Sequence, residues 1–121
     1  MTSRKRKGDA GEAAYADLLR GAGCSVWNLG PSVEGADLLY LQPNGRLGIV
    51  EVKAWNRKLP PSVQDECVRS LMRHYWALPR FWQRRAAVAL VHARPTGTGS
   101  HDLEVVWHYP PKALVEEEAR P

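Results

Sequence analysis

Two apolar runs, ADLLYL (residues 36–41) and RLGIVEVKA (residues 46–54), flank the triplet Pro43-Asn44-Gly45. Asn-Gly between apolar runs is a strong short-range turn signal, so the stretch predicts a β-hairpin. A hairpin fixes strand register, and register fixes which side chains share a face. Here that matters because of three charges: Asp37 opens the first run, and Glu51 and Lys53 interrupt the second. Apolar strands rarely keep charges without a use for them. Strand residues alternate faces, so Glu51 and Lys53 point one way while Val50 and Val52 point the other. The hairpin then gathers one Asp, one Glu and one Lys at a sheet edge. Two carboxylates a few ångströms apart raise each other's pKa unless a cation neutralises them. A hard divalent ion such as Mg²⁺ answers that need, with the backbone carbonyl of Val52 as a third ligand. Such an ion activates water and offsets charge on a phosphate under attack, and Lys53 would orient the water or stabilise the developing charge. The competing reading is an edge strand with a solvent-facing Glu–Lys pair, since the triplet alone recurs by chance about once in a chain of this length.

The rest of the chain supplies a frame for this hairpin. Residues 1–7, MTSRKRK, read as a basic arm, and Gly8 to about Ala22 as a helix ended by Gly21 and Gly23. Ala14, Leu18 and Ala22 would share one face of it, with Tyr15 and Leu19 beside them. Residues 24–29 form a short predicted strand, followed by a GPSVEG loop. After the hairpin comes the basic loop NRKLPP, and Ser62 with Asp65 has capping-box spacing for a second helix. Val63, Cys67, Leu71 and Tyr75 recur every four residues along it, with Val68 and Met72 alongside, until Pro79 ends the run. Residues 86–93, AAVALVHA, predict a strand buried on both faces, and residues 103–109 a last strand before an acidic tail at 112–121. The order α-β-β-β-α-β-β predicts an α/β fold, a mixed central β-sheet flanked by helices, as a single domain over residues 1–121.

Charge and composition narrow the partners. The net charge is +4, and arginine supplies twelve of the seventeen basic residues, which favours a polyanion such as nucleic acid. No apolar run approaches the roughly 18 residues of a membrane span, so no membrane partner is expected. The basic start lacks a following apolar segment, and the two cysteines fit a reducing compartment. A cytoplasmic protein is expected. His74, His92, His101 and His108 lack metal-ligand spacing. Trp76, Phe81 and Trp82 are expected in a core or a dimer seam.

A wider pattern joins these pieces. Lys7-Gly8, then Glu12 on the first helix, Gly23 at its end, Ser32 in the loop, Ala36-Asp37 and Glu51-Val52-Lys53 together resemble the archaeal-type Holliday junction resolvases. That family belongs to the PD-(D/E)XK nuclease superfamily. The resemblance covers residues 4–54 and is only an outline beyond. It implies a restriction-endonuclease-like fold, a Mg²⁺- or Mn²⁺-dependent active site, branched DNA (a four-way junction) as substrate and a homodimer. By the family's roles, Asp37 and Glu51 would ligate the metal and Lys53 would assist the attacking water. Glu12 would complete the acidic cluster, and Ser32 would lie near the scissile phosphate. Arg4, Lys5, Arg6 and Lys7, with Arg57 and Lys58, would contact DNA. Departures are Ala13 and Asn28, where the family usually has arginine, and Ala36 for the motif proline; Arg20, Arg46, Arg57 or Lys58 would have to stand in. The alternatives are another nuclease of the superfamily (repair, flap or restriction type) and a catalytically degenerate DNA-binding protein.

Overall fold

The computed structural model describes residues 4–30, 33 and 35–111, with residues 4–8 described by their backbone alone. Helix α1 (Arg4–Gly21) is followed by β1 (Ser25–Asn28), β2 (Leu38–Leu41), β3 (Leu47–Ala54), α2 (Pro61–Ala77), the single turn α3 (Arg80–Gln83), β4 (Ala86–Pro95) and β5 (His101–Tyr109). The five strands form one sheet in sequence order. All pairings are antiparallel except β3 with β4, so the sheet is mixed and the fold is α/β. The parallel pair requires a long crossover, which α2 and α3 supply.

The hairpin forms as its sequence requires. Leu38 stands opposite Val50 and Leu41 opposite Leu47. The turn closes through Gln42 N–H to the Arg46 carbonyl at 2.8 Å, and Gly45 takes φ +86°, a left-handed conformation that glycine adopts without steric cost. β4, between β3 and β5, is buried along almost its whole length, as its continuous apolar run demands.

Each face of the sheet carries its own core. On one side Tyr15 and Ala16 of α1 pack with Leu38, Tyr40, Val50, Val52 and Val91. On the other, Cys67, Leu71 and Tyr75 of α2 pack with Ile49, Val88, Leu90 and Leu59. Val50 and Val52 thus face α1, while Ile49 faces α2, in the alternation the strand dictates.

Several expectations are corrected here. The run Arg4–Lys7 is not a separate arm but the first turns of α1, consistent with the good helix propensity of Arg and Lys. The inward face of α1 is Gly11, Tyr15 and Ala16, not Ala14, Leu18 and Ala22; Leu18 is 56% exposed. The reason is close approach: a Cβ on Gly11 would lie 3.1 Å from the Ala93 Cβ and 3.3 Å from the Ala54 Cβ, so small residues at these three positions let helix and sheet touch. Helix α2 begins at Pro61, with Pro60 as its N-cap and no side-chain cap bond, so the Ser62–Asp65 capping box does not form. Proline suits the first helical position because its φ is already helical and its missing N–H costs nothing there. Trp76, Phe81 and Trp82 are 61%, 65% and 38% exposed and are not core residues. Cys24 and Cys67 are free thiols packed against opposite faces of the sheet.

Candidate active site

The site lies at the start of β2. Leu38, the first residue of β2, pairs with Val50, so the N–H of Val52, two residues further along β3, has no strand partner on that side. The Asp37 carboxylate takes it: Val52 N–H donates to Asp37 Oδ2 at 2.7 Å. The backbone of Asp37 is held equally well. Its N–H donates to the Val50 carbonyl at 2.8 Å, and its own carbonyl accepts from Leu29 N–H at 3.0 Å. Asp37 is therefore fixed from both neighbouring strands. At Val52 it is the N–H that the structure ties to the site.

Glu12 reaches Asp37 from α1. Its carboxyl hydrogen-bonds the Asp37 carboxylate and is pushed up to about 7, first by burial and then by the negative charge of Asp37. Asp37 is also raised, by burial; the Val52 N–H and the positive charge of Lys53 oppose that rise in part. Glu12 therefore keeps its proton to a higher pH than an ordinary carboxyl, against the Asp37 carboxylate.

Glu51 and Lys53 lie on the α2 side of β3. Lys53 Nζ is 3.3 Å from Glu51 Oε1. Glu51 is only 8% exposed, and its Oε2 is buried without a hydrogen-bond partner. Burial pulls the Lys53 pKa down, but Glu51, Cys67 and Asp37 outweigh it and leave it above its ordinary value. Lys53 is accordingly an ammonium, a charge donor and not a base. Lys53 is near enough to Asp37 for its charge to be felt there, so the four residues form a chain, Glu12–Asp37–Lys53–Glu51, around the open end of β2.

Two neighbours were not legible in the sequence. Cys67 on α2 touches Glu51, and burial followed by the negative charge of Glu51 pushes its thiol up to about 11. His92 stands beside Lys53 in the β3–β4 ladder, buried, with Nε2 2.8 Å from the Trp55 carbonyl. A carbonyl only accepts, so Nε2 carries the proton. With Arg94 Nε donating to the Asn56 carbonyl at 3.1 Å, this ties the loop after β3 to β4. Register could have placed His92 opposite Lys53 only once β3 and β4 were known to be parallel partners; for Cys67, its place on the apolar face of α2 was the available signal.

Arg57 and Lys58 are exposed on that loop. Lys58 also lines a cleft of about 560 Å³ with Gln64, His92, Arg94, Asp102 and Glu104. Because His92 pairs with Lys53, the cleft adjoins the carboxylate chain. Ser32 lies outside the described residues, as do the side chains of Arg4, Lys5, Arg6 and Lys7. Ala13 and Asn28 are exposed, and Arg20 forms an exposed ion pair with Asp17 at 3.6 Å.

Among the described residues, no three His, Cys, Asp or Glu side chains gather as a ready cage for a metal ion. Mg²⁺ does not need one, since it is commonly held by one or two carboxylates and keeps several waters. The fit rests on the orphaned Oε2 of Glu51 and on the adjacent carboxyls of Glu12 and Asp37, both raised by burial. All are hard oxygen donors of the kind Mg²⁺ or Mn²⁺ takes. Among the described residues, no helix is long and apolar enough to cross a membrane.

No protein-family model, no curated protein and no solved structure matches the chain.

Proposed function

We propose that the chain is a Mg²⁺- or Mn²⁺-dependent, structure-selective DNA endonuclease of restriction-endonuclease-like fold that resolves four-way junctions as a homodimer inside the cell. The observation that carries this reading is the carboxylate–lysine chain around the open end of β2, with one Glu51 oxygen buried and unpartnered. Asp37 and Glu51 would hold the ion, with Glu12 against Asp37. When bound, the ion activates a water and neutralises charge on the phosphate. Lys53, kept as an ammonium, donates to the phosphate oxygens as negative charge builds on them. Val52 N–H and the backbone bonds of Asp37 hold that carboxylate in place, so little reorganisation is needed as the substrate arrives. Arg57 and Lys58 supply phosphate contacts beside the site, which carry shape rather than sequence. A four-way junction is close to two-fold symmetric, and a two-fold dimer would present one site to each of two opposed strands.

Ala13 and Asn28, where the resembled family usually has arginine, favour a second reading: a DNA-binding protein of the same fold that does not cut. One experiment separates the two. A labelled four-way junction is incubated with the protein and Mg²⁺ or Mn²⁺ and resolved on a denaturing gel, beside flap, nicked and linear duplexes and with Asp37→Asn as control. Paired nicks in the junction, lost by at least a thousandfold in Asp37→Asn while junction binding persists, support the resolvase. Binding without cleavage in either metal supports the second reading, and cutting of flaps in preference to junctions points to another nuclease of the superfamily.

A further inference from the structure

The net positive charge of this protein lies in one stretch of its sequence, from α2 to the end of β4. Between Glu66 and Asp102 the sequence contains no acidic residue but six arginines: Arg69, Arg73, Arg80, Arg84, Arg85 and Arg94. Outside that stretch eleven basic residues face all thirteen acidic ones, so the net excess of +4 resides wholly within it. The same stretch holds three exposed aromatic rings, Trp76 at the end of α2 and Phe81 and Trp82 on α3. Arginine and ring are interleaved: the Arg85 guanidinium carbon is 5.6 Å from the Phe81 centroid, and Phe81 meets Trp82 edge to face at 5.8 Å.

The corner that presents them is firmly held. Tyr75 Oη donates to the Gln83 carbonyl at 3.0 Å, and Gln83 Nε2 donates to the Leu78 carbonyl at 2.8 Å. Leu78 N–H caps α2 on the Tyr75 carbonyl. Exposed rings on a fixed corner have little entropy left to lose on binding.

We propose that this α2–α3 corner is a second nucleic-acid contact, a stacking platform for an unpaired DNA segment, with bases on Trp76 and Phe81 and phosphates on Arg80 and Arg84. Polyanionic backbone and flat π-faces together are the chemistry that interleaved arginines and aromatic rings recognise. A second copy of the chain fits worse. A two-fold contact sets a patch against itself, and here that opposes arginine to arginine with no carboxylate in the stretch to relieve them. The choice of DNA as the nucleic acid rests on the proposed nuclease reading; the surface itself does not. The corner leads into the first residue of β4, Ala86, which pairs with Leu47, whereas Lys53 pairs with His92. Six strand residues at about 3.3 Å place the corner roughly 20 Å from Lys53, about six stacked nucleotides along one strand.

The test is binding of a fluorescein-labelled oligothymidylate to the full chain in EDTA, read by anisotropy and by quenching of tryptophan emission. Trp76→Ala and Phe81→Ala are each expected to weaken binding about tenfold. The double change Arg80→Gln/Arg84→Gln is expected to lower the slope of log affinity against log salt by about 1.4. Should an alanine variant lose its far-UV circular dichroism, Trp76→Leu and Phe81→Leu keep apolar volume without the ring and are expected to show the same loss. The assay contains EDTA and reads binding rather than cleavage, so failure of the cleavage reading leaves this result standing, and the reverse holds too. Unchanged oligonucleotide affinity in the ring variants overturns the proposal. So does a dimer seen by sedimentation that the ring variants dissociate without losing oligonucleotide binding, or ring-dependent binding to phosphatidylglycerol vesicles with none to the oligonucleotide.

Discussion

Glu12, on α1, and Asp37, at the entry to β2, meet carboxyl to carboxyl across the open end of a β-strand, and burial together with the negative charge of Asp37 pushes the Glu12 carboxyl up to about 7. A carboxyl raised on folding binds its proton more tightly in the native than in the unfolded chain. It therefore contributes stability that is present in full below its ordinary value of 4.5 and is lost as pH rises through about 7. The sign is opposite to that of a salt-bridged carboxylate. In EDTA, the melting temperature is expected to fall between pH 5 and pH 8 by a few degrees more than in Glu12→Gln, whose amide donates to Asp37 without ionising. Added Mg²⁺ is expected to stabilise the unaltered chain at pH 8 and Glu12→Gln less. Parallel pH profiles for the two proteins in EDTA would remove Glu12 from the pair.

Lys53 and Glu51 form the other half of the chain. Removing Lys53 leaves Glu51, only 8% exposed, with its Oε2 unpartnered and only the Cys67 thiol against its carboxylate. Lys53→Met is expected to cost about 1–3 kcal/mol, the range for an orphaned buried polar group, reduced here because the Lys53 side chain is 36% exposed. Adding Glu51→Gln removes the unpaired charge and is expected to recover most of that loss, as a double-mutant cycle in urea reports. Additive losses in the cycle would mean the 3.3 Å pair carries no coupling. Both single variants are expected to abolish junction cleavage.

How much of this the sequence revealed depends on the range of each interaction. The hairpin was legible because turn chemistry and alternation are local, and Glu51, Lys53 and Asp37 follow directly from it. The inward face of α1 was not. Apolar periodicity pointed to Ala14 and Leu18, but the contact is set by steric approach, and Gly11, Ala54 and Ala93 contribute to it by being small rather than by being apolar. That rotation of α1 is what carries Glu12 to Asp37, so one of the four site residues came from the wider motif and not from periodicity. The exposed state of Trp76, Phe81 and Trp82 was equally hidden, because burial of aromatic residues depends on what packs over them and no local signal records that. His92 and Cys67 needed the parallel β3–β4 pairing and the docking of α2, both long-range.

The thiol beside Glu51 gives a chemical readout of that docking. Cys67 is buried and pushed up to about 11, and Cys24 is also raised by burial, so neither is a reactive thiolate at pH 8. A disulfide exchange reagent is expected to label Cys24 slowly and Cys67 only after unfolding, giving two thiols per chain in denaturant. Rapid labelling of Cys67 in the native protein, located by peptide mass, would show that α2 does not cover β3 as described.

The contact of α1 with the sheet supplies the last prediction, because it links packing to the site. A Cβ at Gly11 would come 3.1 Å from the Ala93 Cβ, tighter than ordinary van der Waals contact. Gly11 has no positive φ, so Gly11→Ala is not strained in its backbone, and helix propensity alone would favour it by about 1 kcal/mol. Overpacking against the buried strand β4 costs about 1–3 kcal/mol and wins. Gly11→Ala is therefore expected to melt lower than the unaltered chain, and Gly11→Ala/Ala93→Gly to recover part of the difference by removing the opposing methyl. The same outward shift of α1 draws Glu12 from Asp37, so the extra loss of stability between pH 5 and pH 8 is expected to shrink in Gly11→Ala and return in the double variant. A stabilised Gly11→Ala, or a destabilised one that keeps its full pH dependence, would show that the close approach of α1 to the sheet is not what positions Glu12.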